Sequence, residues 1–367
     1  MRIYRSAIAI CAIGALMLFA ATAASANELK VDDDHLQCPS ATFTSIQAAV
    51  DAANPGDKII VPPGTYHETV IVDKDDLTIR GSKAAILDAT GFEFGIRVGT
   101  GEITGDPPVC PPLSVHNFTL DGLTIRNADD TGLFMLGVDG FHVTHGRYLD
   151  NAEYGVFPRC SKNGLIDFNS GGGGDDATIY VGVDDNVRVE KNHLSNAVIG
   201  IELENTLHSV VRHNVVTGNV TGILVVVLPG LPTTVTDDAL IEGNVIHANN
   251  LPNPFPPPPP FFDDLQLLPS GTGILNVGGD HVVIRNNVVT NNDTVGVALV
   301  ENPFGFGPPD DNEVRSNVIL QNGKQPDPRS PGSGDILYDG SGSGNCFANN
   351  VFKTDFPPGI TSLFACP

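Results

Sequence analysis

From about residue 115 the chain alternates apolar and polar positions in runs of four to six residues, each closed by Gly, Asn or Asp. Alternation with a period of two over so few residues marks strands, because successive side chains of an extended backbone point to opposite faces. The runs are themselves periodic. An apolar residue, two variable residues and an Asn recur as Ile166–Asn169, Val189–Asn192, Val211–Asn214, Ile241–Asn244, Ile284–Asn287 and Val314–Asn317. A second Asn follows four or five residues later at Asn196, Asn219, Asn249, Asn292 and Asn322. A small residue then opens the next apolar run, at Gly132, Gly155, Thr178, Gly200, Gly222, Gly273 and Gly296, in steps of 23, 23, 22, 22, 51 and 23. The step of 51 holds a single apolar-x-x-Asn element, so it reads as one coil carrying insertions. A stride of this length accommodates three short strands and three turns. It predicts an all-β chain: a single right-handed parallel β-helix with three strands per coil, coils about 4.8 Å apart, and Asn side chains passing amide hydrogen bonds along the stack.

Open ends of such a stack need covering. Thr44-Ser-Ile-Gln47 fits a capping box, and Ile46, Ala49, Val50 and Ala53 share one helical face, so a short helix is predicted to close the N-terminal end before Asn54-Pro55-Gly56 stops it. The expected organisation is an export signal over 1–26, a cap segment over 27–57, the β-helix over 58–352 and a C-terminal cap over 353–367. Insertions interrupt the repeat at Gly99–Pro112, Pro229–Asp238, Leu251–Ser270, Asn302–Asp311 and Lys324–Gly334. The third carries Phe255, a run of five prolines and Phe261-Phe262, and is predicted to be a stiff extended loop docked on the wall of the helix.

The first residues change the expected location. Arg2 and Arg5 precede an apolar run, Ala7–Ala20, too short to span a bilayer, and Ala24-Ser25-Ala26 fits a signal cleavage site, which predicts a secreted or periplasmic chain starting at Asn27 and not inserted in a membrane. Of the six cysteines, Cys11 leaves with that segment. Five is odd, so one thiol is unpaired or bonds another chain. Cys346 and Cys366 bracket the C-terminal end and are the preferred disulfide; pairing among Cys38, Cys110 and Cys160 stays open. The net charge of −23 becomes −25 once Arg2 and Arg5 are gone. Such a surface repels nucleic acid and anionic membranes and attracts divalent cations.

Two stretches resemble known proteins. Phe43-Thr-Ser-Ile-Gln-Ala-Ala-Val-Asp-Ala-Ala-Asn-Pro-Gly-Asp-Lys-Ile-Ile-Val-Pro-Pro-Gly-Thr-Tyr-His-Glu68 resembles the opening coil of pectin-lyase-like β-helix proteins. Gly155 to Pro232, with Ile179-Tyr-Val-Gly, Gly200-Ile-Glu-Leu-Glu-Asn-Thr and Gly222-Ile-Leu-Val, is similar to bacterial exported parallel β-helix repeat proteins. The resemblance implies the fold and little about activity. The N-T-D, G-H-G and R-I-K elements of polygalacturonases and the Q-D-T-L and D-F-I-F-G elements of pectin methylesterases are missing, and a chain without Trp lacks the W-x-D-H of pectate lyases. Tyr154-Gly-Val-Phe-Pro-Arg159 follows the outline of the Y-G-F-D-P-H of alginate epimerases, with Phe157 and Arg159 in place of its Asp and His.

Chemistry is sought where the stride stacks it. Asp139, Asp185, Asp238, Asp280 and Asp311 fall at turns and read as residues bonding their own backbone. Two residues before the small-residue column, three successive coils place Asp130, Glu153 and Asp176, with Asp129 and Asp175 beside two of them. Like charges about 5 Å apart raise a carboxyl pKa or recruit Ca²⁺. In the following strand Ile201 and Leu203 should face inward, so Glu202 and Glu204 face out, as do Phe157, Arg159 and Tyr180. This patch is predicted to bind a polysaccharide, with Phe157 and Glu204 as binding residues. If catalytic, it would act as a lyase in which Ca²⁺ neutralises an acidic glycan and Arg159, Tyr180 and Glu202 carry the β-elimination. The alternative is a non-catalytic scaffold for a protein partner. Farther along the face Leu224, Val226, Leu275, Val277 and Val300 form an apolar stripe expected to lie under the Pro-rich insertions. His193, His213 and His247 sit at different offsets and predict no metal site; Gly171–Gly174 reads as a loop.

Overall fold

The computed structural model describes residues 26–260 and 264–367. The predicted export signal and the Phe261-Phe262 pair therefore lie outside the described residues, save for Ala26. The chain winds into a right-handed parallel β-helix of three sheets with 12, 11 and 10 strands, each strand hydrogen-bonded to its equivalents one coil before and one coil after. Inward residues at matching positions form columns: Ile179, Ile201, Ile223, Ile274, Val297 and Ile336 stack in register and are at most 1% exposed. Thr221–Val226 pairs directly with Thr272–Val277, so the long step is one coil with insertions. At the glycines of the small-residue column, which Thr178 interrupts, the next coil comes too close for a Cβ. A Cβ on Gly222 would stand 2.5 Å from the carbonyl oxygen of Gly273.

The apolar-x-x-Asn elements build a buried ladder. The backbone N–H and side-chain Nδ2 of Asn192 both donate to Asn214 Oδ1, at 2.9 and 3.0 Å, and Asn214 donates to Asn244 in the same way. The chain of bonds runs from Asn169 through Asn287 and Asn317 to Asn350. The residue before each rung takes a left-handed conformation (Lys191 φ 56°, His213 φ 57°), which turns the backbone sharply and aims the Asn along the helix axis. A second ladder joins Asn219, Asn249, Asn292 and Asn322 and ends on Asp335. Asn196 is not part of it. Four residues after Asn192 rather than five, it is one short of the rung, occupies the left-handed position (φ 65°), and leaves Ala197 to bond Asn219.

The ends differ from expectation in detail. Helix α1 spans Ile46–Ala52 with Ser45 as N-cap, its hydroxyl accepting from Ala48, so Thr44 and Gln47 form no capping box. The Glu68 carboxylate, one coil away, accepts instead from the Ile46 and Gln47 amides at 2.7 and 2.8 Å, and Lys74 donates to the Val50, Asp51 and Ala53 carbonyls at the other end. The stack extends past both expected limits: Glu28–Lys30 pairs with Lys58–Ile60, and Asp355–Phe356 adds a last rung before helix α2, Ile360–Leu363. Cys346 bonds Cys366, Cys110 bonds Cys160, and Cys38 is free. Among the described residues no helix is long and apolar enough to cross a membrane.

Two expectations about turns are corrected. Ser170–Gly172 is a strand paired with Arg147–Leu149 rather than a loop; the Ser195 carbonyl oxygen lies 1.5 Å from where a Cβ on Gly172 would be, so only glycine lets the next coil approach. The turn carboxylates bridge coils instead of bonding their own backbone. Asp139 accepts from Asn163, Asp185 from His208 and Asp280 from the Asp310 amide, while Asp238 and Asp311 face His208 and His281. Parallel stacking brings the neighbouring turn within reach of each one.

Asn214→Ala leaves the buried donors of Asn192 without their acceptor and should cost about 3 kcal/mol in denaturant unfolding, since each orphaned buried group costs roughly 1–3 kcal/mol. Asn196→Gly, off the ladder and in a conformation glycine adopts freely, should be close to neutral in the same titration.

Candidate functional site

The outer face of the 11-stranded sheet carries the predicted patch. Stacking places Tyr180, Glu202, Leu224 and Leu275 in one outward column and Gly182, Glu204, Val226 and Val277 in the next. The aromatic rings form a row: Phe157 packs edge to face with Tyr180 at 4.2 Å and with Phe134 at 5.2 Å between centroids, and Tyr154 lies tilted against Phe157 at 4.6 Å. Arg159 sits over the Phe157 ring at 5.7 Å. Gly182 makes room for Tyr180, whose hydroxyl comes within 2.4 Å of where a Gly182 Cβ would stand. The ring therefore lies along the sheet and delivers its hydroxyl to Glu204.

These groups line a cleft of about 380 Å³ that holds all eight predicted residues: Asp130, Glu153, Asp176, Phe157, Arg159, Tyr180, Glu202 and Glu204. Five further members, Phe94, Phe134, Tyr154, Leu228 and Asp264, were not anticipated. Phe134 was legible, being one stride of 23 before Phe157. Tyr154 lies next to the small-residue column, outside the simple alternation. Asp264 arrives on a short 3₁₀ turn, Asp264–Leu267, within the Pro-rich insertion, and no periodic signal marks it.

The cleft is acidic yet poorly solvated. Glu202 and Glu204 face outward as predicted but are only 2% and 7% exposed. Burial, reinforced by Asp176, Glu204 and Asp264, holds the Glu202 carboxyl well above the usual carboxylate range. Asp176 is pushed up to about 8 by burial and by the charges of Asp264, Glu204 and Glu153, against a lowering by the Tyr154 hydroxyl. Its Oδ1 is buried without a hydrogen-bond partner. Burial, with Asp264, also raises Glu204 to about 7, opposed by the Tyr180 hydroxyl and by Arg159. Asp176 and Glu202 interact directly, and two carboxylates in contact cannot both ionise cheaply, so at neutral pH the pair retains a proton. Burial and the flanking Glu204 and Glu202 raise the Tyr180 phenol too, the reverse of what a proton-abstracting base requires.

Asp130, Glu153 and Asp176 line one cleft but do not gather around a point. Among the described residues the acidic group whose ligand atoms lie within 4.8 Å of one another is Asp32, Asp33 and Asp34, at the N-terminal end. The reason is side-chain direction. Glu153 is exposed, Asp130 takes the Thr131 hydroxyl, and Asp176 turns toward Glu202. His193, His213 and His247 form no such group either.

The apolar stripe is covered. Leu224, Val226, Leu275 and Val277 are 2–8% exposed and pack with Leu265, Leu268, Leu251 and Phe255 of the Pro-rich insertion. Arg329 fastens the cover from the insertion at 324–334. It pairs with Asp327 at 3.0 Å and donates to the carbonyls of Phe255 and Gln266 at 2.7 and 2.9 Å.

Comparison with known proteins agrees with this architecture. The family model described as "Right handed beta helix region" matches residues 113–230 and 228–363. A cell surface glycoprotein of Methanothermus fervidus is 32% identical over 108 residues, 29% of this chain; the match spans only 16% of that protein's length. Among solved structures, the A-module of a mannuronan C-5 epimerase from Azotobacter vinelandii superposes with a TM-score of 0.54 at 16% identity over 83% of each chain. DFA-IIIase from Arthrobacter chlorophenolicus, solved without its lid in complex with GF2, gives 0.55 at 13% identity over 89% of this chain and 99% of its own. At these identities the likeness is one of fold.

The folded Asp176 retains a proton that the unfolded chain, with an ordinary value of 3.8, releases. Its contribution to stability is therefore present below the unfolded pKa and is lost as pH rises from about 4 toward about 8. Asp176→Asn should melt higher than wild type at pH 8 and lose that advantage at pH 4 in scanning calorimetry.

Proposed function

The chain belongs to the right-handed β-helix family, and from that premise we propose that its mid-helix cleft binds an uncharged saccharide of the cell envelope or its surroundings and donates a proton to it. The carrying observation is the convergence of the Asp176–Glu202 pair with Glu204, Tyr154 and Tyr180 in one cleft. Carboxylates and phenols bond sugar hydroxyls in both directions. A carboxyl still protonated at neutral pH is the group a glycosidic oxygen needs when its C–O bond breaks; water supplies the replacement hydroxyl to the sugar carbon, and its proton passes to Glu204 as the base. An acidic glycan fits less well, because six carboxylates, Asp264 among them, face one Arg159. β-Elimination is disfavoured as well, because Tyr180 is harder to ionise than a free phenol. Export through the segment 1–26 is part of this reading, supported by the two disulfides and by the cell surface glycoprotein similarity.

A partner-binding scaffold remains the second reading, favoured by one feature. On the 10-stranded sheet Val215, Val245, Val288, Val318 and Val351 stack in register, and the last four are 37–55% exposed. Such a flat apolar stripe suits a protein surface.

Titration calorimetry of residues 27–367 with xylan, β-glucan and cellulose oligosaccharides, alongside pectate and alginate oligomers with and without Ca²⁺, separates these readings. A neutral oligosaccharide should bind, Glu202→Gln and Asp176→Asn should weaken it by about tenfold or more, and release of reducing ends should fall as pH rises through about 8. Binding unaffected by either substitution, or restricted to acidic glycans with Ca²⁺, overturns the proposal.

A further inference from the structure

Directly beyond the acidic cleft the same face of the sheet becomes aliphatic without a break. Glu202 is followed in its column by Leu224 and then Leu275, and Glu204 by Val226 and then Val277. Each step is one coil, about 4.8 Å. These side chains floor a second cavity of about 550 Å³, walled by Pro257, Pro258 and residues 264–269 of the Pro-rich insertion and by the insertions at 302–311 and 324–334. Asp264 lines both cavities. We infer that this groove seats the hydrocarbon chain of an amphiphilic saccharide, an alkyl- or isoprenoid-type glycoside whose sugar occupies the acidic cleft. The inference rests on the carbohydrate reading above and names its substrate class.

Three observations favour a chain over another occupant. On the sheet the floor is Leu, Val and Ala, and among the described residues the aromatic ring that lines the cavity, Phe304, belongs to the 302–311 wall, whereas a sugar face is gripped by aromatic surfaces such as those in the neighbouring cleft. The walls are held in place rather than loosely apposed: beyond the Arg329 contacts, Asn253 Nδ2 donates to the carbonyls of Leu265 and Leu268 at 2.8 and 2.9 Å. A fixed, partly open aliphatic trough therefore abuts a polar, hydrogen-bonding cleft. That sequence of surfaces matches a molecule with a sugar at one end and methylenes at the other. The cavity lies in the size range of pockets that enclose small organic ligands.

The test is calorimetry with hexyl, octyl and decyl glucosides, each below its micelle concentration, and an alkyl tri(ethylene glycol) of matching length as the sugar-free arm. Affinity should rise roughly two- to fourfold per added methylene. Leu275→Asp should flatten that dependence, and Val300→Asp, at the more exposed rim, should do the same should the first variant fold poorly; circular dichroism melts report which is intact. Glu202→Gln should weaken every glucoside by the same factor and leave the slope with chain length unchanged. A flat chain-length series while neutral oligosaccharides still bind overturns the groove inference and leaves the cleft reading standing. Equal binding of the sugar-free amphiphile overturns the glycoside assignment. Loss of both oligosaccharide and glucoside binding overturns the cleft reading and this inference together.

Discussion

Stacking each coil on the one before it, residue over residue, is the constraint on which everything else in this protein rests. Buried Asn side chains enforce it. Each rung accepts a backbone and a side-chain hydrogen bond from the rung on one side and donates to the next, so a slip of one residue would orphan several buried polar groups at once. The left-handed residue before each rung and the glycine column, where the next carbonyl lies 2.5 Å from a would-be Cβ, close off the alternatives sterically.

That register turns sequence distance into chemical proximity. Residues 22 or 23 positions apart become lateral neighbours, so Tyr180, Glu202 and Leu224 adjoin although no local motif links them. A β-helix can therefore write a graded surface along its axis, and this one does: aromatic rings and Arg159 first, then carboxylates, then aliphatic side chains. The transition from Glu202 and Glu204 to Leu224 and Val226 takes a single coil.

The insertions convert this surface into a site. On a bare sheet face, outward carboxylates would be hydrated and ordinary. The Pro-rich insertion covers the aliphatic columns with Leu265 and Leu268 and brings Asp264 to the acidic ones. Desolvation is then the largest cause of the raised Asp176, Glu202 and Glu204 values; neighbouring carboxylates add to it, and the Tyr154 and Tyr180 hydroxyls oppose it at Asp176 and Glu204. On the other side, the Cys110–Cys160 disulfide ties the insertion at 99–112 to the residue after Arg159, fixing that edge of the cleft covalently.

The periodic part of the chain was legible from the sequence alone. The stride, the Asn rungs, the inward Ile and Val columns and the grouping of Phe157, Arg159, Tyr180, Glu202 and Glu204 all follow from counting, because a parallel stack maps one repeat onto the next. What counting could not supply is aperiodic or directional. Asp264 and the burial of Glu202 depend on where an insertion folds back. The separation of Asp130, Glu153 and Asp176 depends on side-chain rotation rather than on backbone position, and Asn196 misses its ladder by one residue. The capping of α1 by Glu68 instead of a local box, and the pairing of Cys110 with Cys160, are contacts across coils. The repeat fixes backbone neighbours because hydrogen-bonded strands leave one register; loops and side-chain rotations settle only when the whole surface closes around them.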